Sequence, residues 1–131
     1  MIPERDKERL IDAVNQARNS WVTYAPYLDH FRAELRRAEG VAAEQVPEDM
    51  ITLNSRFELT DSQTGQTSAR TLVYPLERMS KGEVSALSPA GVALFGARVG
   101  DEVCWLTPDG PAAATIRRLI YQPEAAGDLH L

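Results

Sequence analysis

The feature that most constrains this chain is a change of apolar period near residue 47. Before it, Leu10, Val14, Ala17 and Trp21 recur at spacings of 4, 3 and 4, and Leu28, Phe31, Leu35 and Ala38 at 3, 4 and 3. Both are narrow helical seams of the coiled-coil kind. After it, Ile51, Leu53, Ser55, Phe57 and Leu59 alternate with Thr52, Asn54, Arg56, Glu58 and Thr60. A period of two puts alternate side chains on one face of a strand. A chain that changes period in this way segregates its helices from its sheet, an α+β arrangement.

The helical part breaks at residues 20–26, where β-branched and aromatic residues run into Pro26, which disfavours helix at Ala25. Pro3 fits a first helical turn, and Glu4 and Asp6 complement the positive end of the macrodipole. Gly40 is placed to end the second helix. Two short seams cannot bury themselves separately, so residues 1–40 are expected to pair as an antiparallel helical hairpin. It would be a thin protrusion, a short coiled coil, with Trp21 and Tyr24 at or near its tip. Those aromatics either cap the seam or touch a partner. Residues 41–49 read as a linker to a second domain, 50–131.

In that domain the period predicts a strand over 51–59, a turn over 61–65 and a second strand over 66–74, ended by Pro75. Residues 84–101, VSALSPAGVALFGARVGD, predict a strand over 84–88, a corner capped by Ser88, and a short helix that Pro89 opens. A last hairpin joins 101–107 to 112–121 around Pro108, Asp109 and Gly110. The expectation is a five-stranded antiparallel sheet with one short helix, and a tail, 122–131, packed along it.

Composition excludes more than it proposes. A net charge of −5 argues against phosphate neutralisation, hence against direct nucleic-acid binding. The cluster Arg32, Arg36 and Arg37 is interleaved with Glu34 and Glu39, as on a solvated helix face or one that touches an acidic partner. Cys104 is the single cysteine, and His30 and His130 have no ligand spacing, so neither a disulfide nor a metal site is expected. The acidic pairs Glu48-Asp49 and Asp101-Glu102 are adjacent, which on a strand sends them to opposite faces. No nucleophile elbow or phosphate-binding glycine loop is present, so no catalytic residues and no cofactor are assigned. No apolar run reaches the length of a spanning helix, and the charged N-terminus carries no signal-peptide core. A cytoplasmic protein without membrane contact is the expectation.

Four stretches carry a resemblance: VPEDMITLNSRFEL (46–59), RTLVYP (70–75), SALSPAGVALFGARVGDEV (85–103) and YQPEAAGDLHL (121–131). Together they resemble the C-terminal domain of the bacterial Gre transcript-cleavage factors. The likeness is closest to the family's short-armed group, the regulators of nucleoside diphosphate kinase (Rnk). The N-terminal third matches more loosely, chiefly in AELRRAE (33–39). The resemblance implies an FK506-binding-protein-like β-domain behind a coiled-coil hairpin. It also implies binding to RNA polymerase at the secondary channel, the domain docking outside and the hairpin pointing inward. The polymerase-facing part of the family is the corner, here Ser88, Pro89, Ala90, Gly91 and Leu94. Cleavage-competent members hold a second Mg²⁺ with paired acidic residues at the hairpin tip. Here residues 19–26 contain no Asp or Glu, and the nearest carboxylate is Asp29, already in the second helix. Two-metal chemistry requires carboxylates within ligand distance of the ion. The expectation is therefore a monomeric regulator that is not an enzyme. Two alternatives stay open. One is peptidyl-prolyl isomerase activity, for which Phe57, Tyr74, Phe95, Trp105 and Tyr121 are few and mostly inward. The other is direct action on a nucleotide kinase, for which no nucleotide site is visible.

Overall fold

The computed structural model describes residues 1–20, 26–75 and 80–128. Helix α1 (Glu4–Ser20) and helix α2 (Pro26–Arg37) carry the two seams. Leu10, Val14 and Ala17 on α1 and Leu28, Phe31 and Leu35 on α2 are buried. End charges follow the macrodipole, with Glu4 and Asp6 opening α1 and Arg36 and Arg37 closing α2. Two short strands, β1 (Ile2–Pro3) and β2 (Gly40–Val41), pair in parallel. The Lys7 ammonium donates to the Ala38 carbonyl at 2.9 Å, so the start of α1 lies against the end of α2. Arg32 ties the helices again, donating to Asn15 Oδ1 at 2.7 Å.

Strands β3 (Arg56–Asp61), β4 (Thr67–Val73), β5 (Glu83–Ser85), β6 (Glu102–Thr107) and β7 (Gly110–Tyr121) form one sheet in the order β5-β4-β3-β7-β6. Neighbours are antiparallel except β4 and β5, which run parallel with Leu72 opposite Val84. The sheet is therefore mixed, where an antiparallel one was expected. The register shows it: Glu83 lies opposite Thr71 and Ser85 opposite Val73, so β5 runs along β4 in the same direction.

Phe57, Leu59, Leu72 and Ile116 on the inner face of the sheet share one core with Leu10, Val14, Leu28 and Phe31 of the helices. The seams are thus closed by the sheet as well as by each other, and the helices are no free-standing protrusion. Each buried side chain of this size contributes roughly 1.5–3 kcal/mol over leaving it in water.

Residues 51–55 depart from the expected strand. β3 begins only at Arg56, from which buried and more exposed side chains alternate. Ile51, Thr52, Leu53 and Ser55 are all buried, and Asn54 adopts φ 69°, a left-handed conformation foreign to strands. Their backbone groups find other partners: the Ile51 N–H donates to the Ala97 carbonyl at 2.8 Å and the Asn54 N–H to the Leu72 carbonyl at 2.6 Å.

The segment expected as a linker is ordered as well. It holds β2 and a 3-10 turn (Ala43–Gln45), and Val41, Val46 and Met50 form a small core of their own. Besides α3 (Pro89–Leu94) there is a second short helix, α4 (Pro123–Ala126), closed by Gly127 at φ 79°. Of the tail, Gln122 and Glu124 fasten to the 47–52 segment. Gln122 Nε2 donates to the carbonyls of Pro47 at 2.7 Å and Met50 at 2.8 Å. The Tyr121 hydroxyl donates to the Asp128 carboxylate, a bond that with desolvation pushes the phenol up to about 12.

Candidate functional site

The corner between β5 and α3 is built by local hydrogen bonding. The Ser88 Oγ accepts the Gly91 N–H at 3.0 Å, as an N-cap does, and donates to the Ser85 carbonyl at 2.7 Å. Pro89 takes the first helical position, where no N–H is needed. Gly91 is the tightest point. A Cβ there would stand 1.9 Å from the Ser85 carbonyl oxygen, so only glycine allows the helix to approach β5 this closely.

The five residues singled out in the sequence are brought together but divide by direction. Pro89 is exposed, and Ser88 and Ala90 are half-buried. Gly91 and Leu94 are buried, Leu94 at 1% exposure, and form the face that α3 turns to the core. A partner meeting this corner would touch Pro89 and Ala90, while Gly91 and Leu94 hold the backbone in place.

Beside the corner lies a recess of about 490 Å³ walled by α2, α3 and β6. Val92, Ala93 and Phe95 supply its apolar part, joined by Trp105 and Leu106 of β6. On the α2 side, His30 Nε2 and Glu34 Oε1 stand 2.7 Å apart, one turn along the helix. Helix α2 is braced directly against the corner: the Tyr27 hydroxyl donates to the Leu87 carbonyl at 2.6 Å, and Phe31 meets Phe95 edge to face. Cys104 is exposed and opens on the same recess.

Of the residues expected at the far end of the helices, Trp21 and Tyr24 lie outside the described residues. Asp29 is exposed on α2 and pairs with Arg32 at 3.6 Å. Among the described residues, no group of three or more His, Cys, Asp or Glu is placed to hold a metal ion. No helix among them is long and apolar enough to cross a membrane.

A second polar constellation went unread in the sequence. Asp6 of α1 and Glu124 of α4 converge on the buried 52–53 turn. Asp6 Oδ2 accepts the Leu53 N–H at 3.0 Å, and the Thr52 hydroxyl donates to Glu124 Oε1 at 2.6 Å. Asp6 had a signal. It precedes Leu10 by four positions, on the seam itself, which points it at the core and not at solvent.

With this geometry in place, comparison with known proteins decides the family. The model "Transcription elongation factor, GreA/GreB, C-term" matches residues 46–121. The chain belongs to the GreA/GreB family. Among GreA/GreB relatives, the "Regulator of nucleoside diphosphate kinase" of Escherichia coli is 43% identical over 105 residues, covering 79% of this chain and 77% of that protein. "Transcription elongation factor GreA" of Solidesulfovibrio magneticus is 37% identical over 82 residues, which is 61% of this chain but only 50% of that factor. A solved structure, "Prokaryotic transcription elongation factor GreA/GreB from Nitrosomonas europaea", superposes with a TM-score of 0.74 at 33% identity, over 92% of this chain and 97% of that one. The matched stretch contains the whole corner. Relatives are thus named as elongation factors and as a regulator, and the chain is similar to both over most of its length.

Proposed function

We propose that this protein is a transcription regulator that binds RNA polymerase at the entrance of the secondary channel and does not stimulate transcript cleavage. Residues 50–131 act as the docking body, of FK506-binding-protein-like design, and residues 1–40 as a short hairpin arm, with 41–49 packed between them. The observation that carries this is the corner. Ser88 and Gly91 lock a proline-led turn so that Pro89 and Ala90 face outward beside an apolar recess, inside the stretch that matches the GreA/GreB family. The loss of cleavage follows from the arm. Residues 19–26 lack any carboxylate, and Asp29 is engaged with Arg32. A single displaced carboxylate cannot supply the ligands of a second Mg²⁺. Occupying the channel without that chemistry would block cleavage factors or tune the entry of small molecules.

The test uses purified core RNA polymerase. Ala90→Glu puts a charge on the outward side of α3 and is expected to weaken binding at least about tenfold, roughly 1.4 kcal/mol, with an unchanged melting temperature. The same binding in wild type and variant removes the corner from the interface. Halted elongation complexes incubated with this protein alone should keep their RNA at full length. Shortened RNA would sink the claim that cleavage is absent.

A further inference from the structure

Asp6, Thr52 and Glu124 bring three parts of the chain to one point: the start of α1, the turn that leads into β3, and α4. The Thr52 hydroxyl gives its one proton to Glu124 Oε1 at 2.6 Å. The Ser55 hydroxyl, 2.9 Å away, therefore donates to Thr52 Oγ1 while it accepts the Thr52 N–H. Neither hydroxyl has a proton left for Asp6, whose Oδ2 accepts the Leu53 N–H and whose Oδ1 has no partner among the described residues. Asp6, Thr52 and Ser55 are all buried. The turn thus holds α4 through one carboxylate and α1 through another.

Two carboxylates around one buried turn disfavour each other's charge. Burial opposes the charge on Asp6 most, and the Glu124 carboxylate on the facing helix adds to it. The Leu53 N–H and the guanidinium groups of Arg9 and Arg5 on its own helix favour the charge, and the carboxyl settles at about 6 against an ordinary 3.8. Glu124 also borders a cleft of about 260 Å³ that it lines with Glu4 and Arg5, so α4 faces an opening on that side. The two helices differ in what holds them. α1 seats Leu10, Val14 and Ala17 in the main core, whereas α4 has four residues and buries Pro123 alone. Local opening starts from elements with few buried contacts.

The geometry points to a proton-gated latch: α4 is seated on the 52–53 turn while Asp6 carries a proton, and swings away once Asp6 and Glu124 are both charged. Gln122 is the pivot, because its amide is bonded to the Pro47 and Met50 carbonyls, and none of these groups titrates. Swinging out moves the Glu124 charge into the cleft and lets water reach Asp6. A helix of four residues does not persist without its seat, so the Ala126, Gly127 and Asp128 amides lose their partners in the opened form. The helical hairpin stays in place. The latch is a property of the free chain and does not depend on polymerase docking.

Amide hydrogen exchange of the full chain at about pH 5 and about pH 8, corrected for the intrinsic pH dependence, tests it. With the Asp6 proton held at about 6 in the seated form and at 3.8 in the opened one, opening should rise about tenfold between the two. That rise is expected at Ala126, Gly127 and Asp128, with Leu10 and Val14 of α1 unchanged. Asp6→Asn should remove it. Glu124→Gln keeps an acceptor for Thr52, takes away the second charge, and should leave a smaller rise. Equal opening of the wild type at both pH values overturns the latch, as does a full rise in either variant. Loss of protection at Leu10 and Val14 together with the tail would mean that α1 lifts instead, which also overturns it.

Discussion

Asp6 Oδ2 accepts the Leu53 backbone N–H at 3.0 Å and so joins the first turn of α1 to the buried turn that leads into β3. The carboxyl is 1% exposed, and its other oxygen has no hydrogen-bond partner among the described residues. Burial raises its pKa most and the Glu124 carboxylate adds to the rise, against lowering by the Leu53 N–H, Arg9 and Arg5, and it settles at about 6.

The folded value lies above the unfolded 3.8, so the native state holds the Asp6 proton more tightly. Stability contributed by this group is present below about pH 4 and is lost as pH rises through about 6, on the order of 2–3 kcal/mol in all. Asp6→Asn keeps an acceptor for Leu53 with no charge to bury. The variant should melt higher than wild type at pH 7 and show a flatter melting profile between pH 4.5 and 7. Parallel profiles for the two proteins would contradict the assignment.

Gly91→Ala tests the close approach of α3 to β5. The added methyl would stand 1.9 Å from the Ser85 oxygen and 2.8 Å from its carbonyl carbon, both backbone atoms, so the helix must move. A loss of roughly 2–4 kcal/mol is expected in urea unfolding, as for other overpacked sites. Ala90→Ser, one position earlier and facing outward, should stay within about 0.5 kcal/mol.

Gln122→Leu removes the donor that serves two carbonyls at once, those of Pro47 and Met50. A buried carbonyl left unpaired costs about 1–3 kcal/mol, so the 43–52 segment should loosen before the sheet does. Faster amide exchange at Gln45, Val46 and Met50, with β3 and β7 unaffected, is the expected pattern. Uniformly faster exchange across the sheet would mean that Gln122 supports the whole core instead.

What could be read from the sequence was local chemistry. Ser88 and Pro89 announce a capped helix start wherever they fall, and the spacings from Leu10 to Ala17 and from Leu28 to Leu35 place the seams correctly. Long-range partners decided the rest. Ile51 and Leu53 continue the alternation of β3, yet they belong to a turn held by Ala97, Leu72 and Asp6, which no local pattern reveals. The direction of β5 shows in its register on β4, Glu83 opposite Thr71 and Ser85 opposite Val73, and is not written in its own three residues. At the corner, Gly91 and Leu94 are three positions apart and so share a helix face, a spacing that already separated the inward residues from Pro89 and Ala90.

The common core of Leu10, Leu28 and Phe57 also has a mechanical meaning. Helices seated on the sheet in this way share its core, so their angle to it is fixed by packing. Their reach is the quantity left free. Inserting one turn into each helix beyond Ala17 and before Leu28 would lengthen the arm by about 5.4 Å and leave the corner untouched. On the polymerase-binding reading proposed above, helices of different length on one body would act as graduated rulers, their depth set by counting turns.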